Sequence, residues 1–502
     1  MRLGRASAVV AGWTVVSRIA GFLRDVLIAA VIGAGPLGDA LLVALKLPNL
    51  LRRLFAEGAL AAAFVPLYAQ ALERDGEAAA RRFARSAMGG LAVGLLVLVA
   101  VAELAMPLIL AVLAPGFSPG DGRYEPALEL ARTTFPYLVL VALVGLAGGV
   151  LNAHGRFAAA AFTPVLLNVV LIAVLLLPWG SAAAAATALA WTVPLAGAAQ
   201  LLWLLWALHR DGFGLRPAWP RPSPALHRLV RLFLPLALAA GAFQINVVVN
   251  TIWASTLPAG AVAALYFADR LCQLPLGVVG VALGTALLPL LARHLNAGRD
   301  GDALMAQNRA LEAALLLTVP ATAALVILRE PIVVTLFERG AFDAVASAAT
   351  AAAVAAFALG LPAQVMVRVL APGFYARTDS RTPLRLALVA VAANLLLTLA
   401  LIGPLGATGI ALANALAGWL SAGLHLVILA ARGQWRADRR LLTRLPRIAL
   451  ATVAMVVALQ LLRAAPIPLS IAAGLIVYAA AAWLVRACET SDLRGLVRAG
   501  PA

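Results

Sequence analysis

Apolar runs of roughly twenty residues recur from one end of this 502-residue chain to the other. Twenty residues of α-helix is the length needed to cross about 30 Å of hydrocarbon. In that medium every backbone N–H and C=O must be satisfied internally, so only helices and closed barrels can span it. The runs show no strand-like alternation of apolar and polar residues, which sets a barrel aside. The fold class that follows is an all-α polytopic membrane protein. Charged residues make up 12% of the chain, against about a quarter in soluble domains.

The spans fall at 8–32, 37–70 (interrupted), 86–113, 127–152, 158–178, 182–208, 229–256, 261–292, 310–337, 345–375, 383–403, 407–430, 446–463 and 467–487, about fourteen transmembrane helices. The head, MRLGRASAVVAGW, resembles a signal peptide. Arg18, Arg24 and Asp25 interrupt its apolar body and no small-residue cleavage pattern follows, so it is expected to stay as the first span. The net charge of +17 collects in the loops 73–86, 152–157, 209–228, 292–302, 376–385 and 431–447, while the alternate loops hold few cations. That alternation predicts both termini in the cytoplasm and accounts for the basicity without a nucleic-acid partner.

Catalytic chemistry finds no foothold. Cys272 and Cys488 cannot build a disulfide framework, the five histidines have no ligand spacing, and there is no P-loop, nucleophile elbow or metal motif. The expectation is a transporter rather than an enzyme, with no metal or cofactor and with any coupling ion unassigned.

An internal repeat organises the spans. AAFVPLYAQAL (62–72) resembles TALLPLLARHL (285–295), an offset of 223, and PLILAVLAPGF (107–117) resembles PIVVTLFERGAF (331–342), an offset of about 224. LNVVLIAVLLLPWG (167–180) resembles ANLLLTLALIGPLG (393–406), an offset of 226 that aligns Asn168 with Asn394, Pro178 with Pro404 and Gly180 with Gly406. An offset of six helices preserves orientation, so the halves are parallel repeats about a pseudo-twofold axis along the membrane normal. The division predicted is an N-lobe at 1–215 (spans 1–6), a C-lobe at 216–431 (spans 7–12), and a C-terminal helix pair with a short cytoplasmic tail at 432–502. Transporters of this build hold substrate near the lobe interface and rock the lobes for alternating access.

Ionisable side chains inside spans cost roughly 2.5–3.5 kcal/mol each on insertion scales and face a cavity or a partner by default. The first span carries Ser17, Arg18, Arg24 and Asp25, with Arg18 and Asp25 about two turns apart on one face. In the second, Asp39, Lys46, Arg53 and Glu57 would form one stripe. Pro48 is expected to break the helix and bring Asn49 and Arg52 onto the polar face. The eighth span places Asp269 and Arg270 near Pro275, and Arg368 interrupts the tenth. Two readings of these charges stand. One is an anion-binding cavity, since the guanidinium never deprotonates and its planar fork matches phosphate. The other is internal pairing, Arg18 with Asp25 or Asp269 with Arg270, that fixes helix packing. Cations outnumber carboxylates along these stretches, which favours an anionic ligand.

The stretch SRIAGFLRDVLIAAVIGAGPLGDALLVALKLPNLLRRLFAEGALAAAFVP (17–66) closely resembles the N-terminal signature of the lipid II flippase family, MurJ (MviN). YFADRLCQLPLGVVGVALGTALLPLLA (266–292) and LAPGFYARTDSRTP (370–383) resemble its other characteristic stretches, and the likeness covers essentially the whole chain. The resemblance implies membership of the multidrug/oligosaccharidyl-lipid/polysaccharide (MOP) exporter superfamily: two six-helix bundles around a cavity, with two further helices forming a lipid-facing groove. The implied substrate is lipid II, undecaprenyl-pyrophosphoryl-MurNAc-pentapeptide-GlcNAc. It is carried from the inner to the outer leaflet of the bacterial cytoplasmic (inner) membrane for peptidoglycan synthesis, and so for cell-wall biogenesis and cell shape. By the same resemblance the cavity arginines are Arg18, Arg24, Arg52 and Arg270 and the cavity acids are Asp39 and Glu57. Ser17, Lys46, Asn49, Arg53 and Asp269 line the same stretches.

Two departures narrow what carries over. Some members have a carboxylate at the position of Gln273. Some bind sodium with an Asp in the seventh span, where this chain has Asn246 and Asn250 and no acid. Energy coupling stays open between proton, sodium and membrane potential. Beyond lipid II and membrane lipids, the expected partners are cell-wall synthesis or division proteins. Competing functions are a flippase for another polyprenyl-phosphate-linked saccharide, a MATE-like multidrug antiporter, and a non-transporting scaffold of the division machinery. The scaffold has no need of buried arginines.

Overall fold

The structure is a computed structural model that describes residues 2–55, 59–215, 218–219, 224–242, 244–463 and 465–488. All regular structure among them is helical. The helices are α1 (Arg2–Ile32), α2 (Pro36–Phe55), α3 (Ala59–Leu104), α4 (Met106–Leu113), α5 (Tyr124–Thr134), α6 (Tyr137–Ala153), α7 (Phe157–Leu175), α8 (Ala182–Arg210) and α9 (Pro224–Ala242). They continue as α10 (Ile245–Ser255), α11 (Ala261–Asn296), α12 (Asp300–Ile327), α13 (Arg329–Phe337), α14 (Ala344–Ala358), α15 (Leu361–Tyr375), α16 (Arg381–Ala431), α17 (Arg439–Leu461) and α18 (Ile467–Leu484). Among the described residues nine helices are long and apolar enough to cross a membrane. Each expected span nevertheless falls on a helix or a broken pair, because α3 and α16 each carry parts of two spans.

Those two long helices bend where glycine allows it. Gly76 (φ 80°, ψ 173°) and Gly406 (φ 55°, ψ −131°) leave helical geometry inside α3 and α16, in backbone conformations that a Cβ would penalise. The bend at Gly406 sits where the repeat aligns it with Gly180, in the turn between α7 and α8. Likewise the short helices α4 and α13 follow long ones at repeat-related positions. At the turn before α16, the Asp379 carboxylate accepts from the Thr382 N–H at 2.9 Å, from its hydroxyl at 2.6 Å and from Arg432 at 2.8 Å. These donors hold it below the ordinary carboxylate range.

The chain packs as two compact units. The first is Met1–Ala263 with Arg339–Asp343, and the second runs from Ala264 to Glu338 and onward from Ala344. By packing, α9 and α10 therefore go with the first unit, whereas the sequence repeat counts them in the second half. In the first unit α1 packs on α7, α2 on α5, and α3 on α6 and α9. Helix α6 is buried nearly all round, as expected of a helix apolar on every face. The segment at 339–343 joins this unit through the Ala341 N–H, which donates to the Ala30 carbonyl at 2.8 Å. Side-chain-free Gly33 and Gly340 permit that approach: a Cβ on either would stand within 2.4 Å of a facing carbonyl oxygen.

In the second unit α12 packs on α15 and α17, α15 on α16, and α17 on α18. The break between α14 and α15 at Leu359 and Gly360 frees carbonyls in the middle of an apolar span. Neighbouring side chains meet them: Thr322 Oγ1 donates to Ala358 O at 3.0 Å and Trp419 Nε1 to Leu359 O at 2.9 Å. Irregular backbone at membrane depth needs that internal satisfaction.

Candidate functional site

Helix α2 runs through Pro48 as α-helix to Phe55, so the break expected at Pro48 is absent. Proline removes the N–H that would have met the Ala44 carbonyl one turn earlier. The Thr134 hydroxyl of α5 approaches that carbonyl at 3.5 Å, within a hydrogen-bond set that also reaches Leu130 O and Ala131 O. Asn49 is exposed and donates to Leu45 O at 2.8 Å, which further supports the helix around the proline.

Arg24 is the best-defined cation of the first unit. Its Nε and Nη2 donate to Oδ1 of Asp25 at 3.1 and 2.7 Å, and Nη1 donates to Oδ1 of Asn168 at 3.0 Å. Asn168 in turn donates to the Ser17 carbonyl at 3.1 Å, so one amide on α7 positions both Arg24 and the turn that carries Ser17. Asp25 is buried and pairs with its neighbour in sequence. The pairing weighed for Arg18 with Asp25 is not the one made, and Arg18 itself is exposed. Adjacent side chains on a helix point about 100° apart, yet the length of the Arg24 side chain lets its fork fold back onto Asp25.

Lys46 Nζ donates to the Thr251 hydroxyl of α10 at 2.9 Å, and that hydroxyl donates to Val247 O at 2.6 Å. Asp39, fully buried, turns both oxygens onto backbone: Oδ2 accepts from the Gly260 N–H and Oδ1 from the Ala263 N–H, each at 2.8 Å. It thus caps the start of α11, whose first amides have no intrahelical partner. Arg123 stands beside the same turn, buried, donating to Ser255 O at 3.2 Å and Leu257 O at 2.9 Å. Arg52 is half-buried on α2. The Arg53 side chain and the whole of Glu57 lie outside the described residues.

Asp269 and Arg270 belong to the second unit. Arg270 lies over the Tyr266 ring at 4.7 Å and donates to Gln273 Oε1 at 3.4 Å, while Gln273 donates to Asp269. A neutral amide thus sits between the two charges, at the position where some family members have a carboxylate. Arg368 is exposed on α15.

Between residues 17 and 52 the first unit carries four cations (Arg18, Arg24, Lys46, Arg52) and two carboxylates. Asp25 serves Arg24 and Asp39 serves backbone amides, so positive charge exceeds negative along this stretch, where Arg24, Lys46 and Arg52 are half-buried and Arg18 is exposed. That arrangement can take an anion. Asn168 and Thr251 were not among the residues singled out from sequence. Only the alignment of Asn168 with Asn394 pointed to the first; a threonine in a span gave no signal for the second.

Known proteins bear on this arrangement. A sequence profile of the family described as "Lipid II flippase MurJ" matches residues 28–476. The probable lipid II flippase MurJ of Rhizobium meliloti (strain 1021) is 42% identical over 522 residues, covering 100% of this chain and 97% of that protein. The lipid II flippase MurJ of Burkholderia cenocepacia is 35% identical over 439 residues, covering 86% of this chain and 85% of its own length. Among solved structures, a lipid II flippase MurJ in an inward closed conformation superposes with a TM-score of 0.80 at 24% identity, covering 95% of this chain and 98% of that one. An inward-facing multidrug resistance MATE transporter of the MOP superfamily gives 0.66 at 17% identity, covering 83% and 94%. These two show a shared fold.

Proposed function

Because the chain belongs to the lipid II flippase MurJ family, we propose that it carries lipid II from the inner to the outer leaflet of the cytoplasmic membrane by alternating access. Both termini lie in the cytoplasm in this reading. The lobes are residues 1–215 and 216–431, with 432–502 as an added helix pair, fourteen spans in all. The pyrophosphate is met by Arg18, Arg24, Arg52 and Arg270, with Lys46 beside them. Ser17, Asp39, Asn49, Arg53, Glu57 and Asp269 complete the polar lining.

The observation that carries the reading is the excess of cations on α1 and α2. Arg24 is held by Asp25 and Asn168 in one orientation, so it meets a ligand with little loss of side-chain freedom, and preorganisation of this kind strengthens binding. A guanidinium fork gives two parallel charge-assisted bonds to a phosphate. A MATE-like antiporter shares the fold, but a pocket for organic cations calls for acidic or aromatic lining, and this stretch is cationic.

The test is depletion in the native cell followed by measurement of lipid II accessibility at the outer leaflet. Accessibility should fall on depletion and return with the wild-type chain. It should not return with Arg52→Ala or Arg270→Ala at normal membrane levels. Unchanged accessibility on depletion would count against lipid II and leave another polyprenyl-phosphate-linked saccharide as the substrate.

A further inference from the structure

Asn168 of α7 lies against one face of α1. Ser17, Gly21 and Arg24 recur there at intervals of four and three residues, the spacing of a single helical face. An added Cβ on Gly21 would stand 3.5 Å from Asn168 Nδ2, so the amide lies directly over that glycine. From there Nδ2 donates to the Ser17 carbonyl at 3.1 Å, and Oδ1 accepts from Arg24 Nη1 at 3.0 Å. Asn168 is buried, as amides are when they bridge two membrane helices by hydrogen bonds.

The chemistry of those two neighbours selects the side chain between them. A guanidinium only donates and a carbonyl only accepts, so the bridging group must accept at one end and donate at the other. A carboxylate would meet Arg24 but would face the Ser17 carbonyl with a second acceptor. A leucine of similar shape would meet neither. Charge makes a further distinction. Four cations and two carboxylates stand between residues 17 and 52, a surplus of two. The amide leaves that surplus intact. An acid at the same position would halve it, beside a guanidinium that Asp25 already pairs.

We propose that Asn168 is a positioning residue for anion binding: it aims the Arg24 fork and, being neutral, leaves the positive surplus of α1 and α2 in place. The proposal rests on the reading of Arg24 as a ligand of the substrate's phosphates. It adds a residue of α7 that acts through Arg24 rather than on the phosphate itself. A long side chain held in place before binding avoids an ordering cost worth up to about tenfold in affinity.

The experiment measures the affinity of the full-length protein, in nanodiscs of zwitterionic lipid, for inorganic pyrophosphate and for lipid II. Thermal melts of each variant run alongside. Arg24→Ala should weaken binding of both probes, and Asn168→Leu should weaken it by about tenfold. A double-mutant cycle isolates the coupling between the two residues. With Arg24→Ala already present, Asn168→Leu should cost less than about twofold, since no fork remains to be aimed. Asn168→Asp keeps the shape of the side chain and an acceptor for Arg24, yet it should weaken binding at least as much as Asn168→Leu. Should the leucine variant fail to accumulate, Asn168→Ala, which adds no bulk, takes its place in the cycle. A loss from Asn168→Leu that persists undiminished in the Arg24→Ala background overturns the proposal, because packing of α7 on α1 would then be its cause. Wild-type affinity in either Asn168→Leu or Asn168→Asp overturns it as well. Where Arg24→Ala weakens binding in those cases, the reading of Arg24 stands and only the role of Asn168 falls. Affinity unchanged by Arg24→Ala, or a wild type that binds neither probe, removes both.

Discussion

At the scale of single residues, the cations of the first two helices differ in how they are held. Arg24 is fixed by Asp25 and Asn168, Lys46 by Thr251, and Arg52 lies half-buried on α2. A bidentate phosphate contact should make Arg52 intolerant of lysine, which supplies a point charge without the fork. Arg52→Lys should keep the cell alive with transport reduced about tenfold, and Arg52→Ala should lose about a further tenfold, in line with about 1.5–3 kcal/mol for a charged hydrogen bond. Complementation titrated by expression level checks the order, and equal activity of the two variants would remove the fork argument. His154, in the loop after α6, is a different case. Its Nε2 lies 2.9 Å from the Tyr68 hydroxyl and its ring stacks on Phe213. Burial pushes its pKa below the ordinary 6.5. The unfolded chain therefore takes up the proton first, so stability falls as pH drops through about 6.5 and levels out below the depressed folded value. Thermal melts of the purified protein should show a loss between pH 7.5 and 5.5 that His154→Gln reduces. The charged residues were legible in the sequence because ionisable groups in apolar spans are conspicuous. Their partners were not: Asn168 and Thr251 lie more than a hundred positions away in the chain, and neutral amides and hydroxyls are unremarkable in helices.

At the scale of elements, the helical character of the chain could be read from apolar length alone, but the behaviour at prolines and charges depended on neighbours. Helix α2 continues through Pro48 because surrounding groups, Thr134 among them, supply polar contacts that the sequence of α2 does not contain. Asp39 looked like part of a polar stripe, and it is the cap of α11. A charge cluster on α12 escaped sequence reading because its members are spread over two distant segments. Glu312, buried on α12, receives Arg309 from its own helix and Arg440 and Arg444 from α17, while Arg309 also meets Asp438, the N-cap of α17. Arg444 is 3% exposed, and an uncompensated guanidinium at such a position is costly. Together with the Tyr478 hydroxyl on Leu316 O at 2.6 Å, this network holds the C-terminal pair α17–α18 on α12. Glu312→Gln should destabilise the protein by about 3–5 kcal/mol and open the 432–437 connection to trypsin at Arg436. Insertion should be normal. An unchanged melting temperature and cleavage pattern would show that apolar packing of Ile448, Met455 and Leu459 suffices without the ions.

At the scale of the whole molecule, the sequence repeat and the packing divide the chain differently, and the difference has a physical basis. A repeat records which helices share a pattern, whereas packing records which surfaces bury one another. Helices α9 and α10 fall in the second half by the offset of the repeat and pack within the first unit. The charge pattern is independent of both divisions, since insertion reads the cations of each loop while the spans are still being placed. It therefore supplies the sharpest test of the fourteen-span arrangement. In a background of Cys272→Ala and Cys488→Ser, single cysteines placed at Ser118, Gly180 and Asp343 should react with a membrane-impermeant maleimide in intact spheroplasts. Cysteines at Gly155, Arg299 and Arg436 should react after the membrane is permeabilised and not before. Ser118 and Gly180 bracket α5–α7, so a single span gained or lost between them would invert one site relative to the other. Protection at Asp343 with labelling at Ser118 would place the miscount between those two positions and, with it, break the even count that puts both termini on the cytoplasmic side.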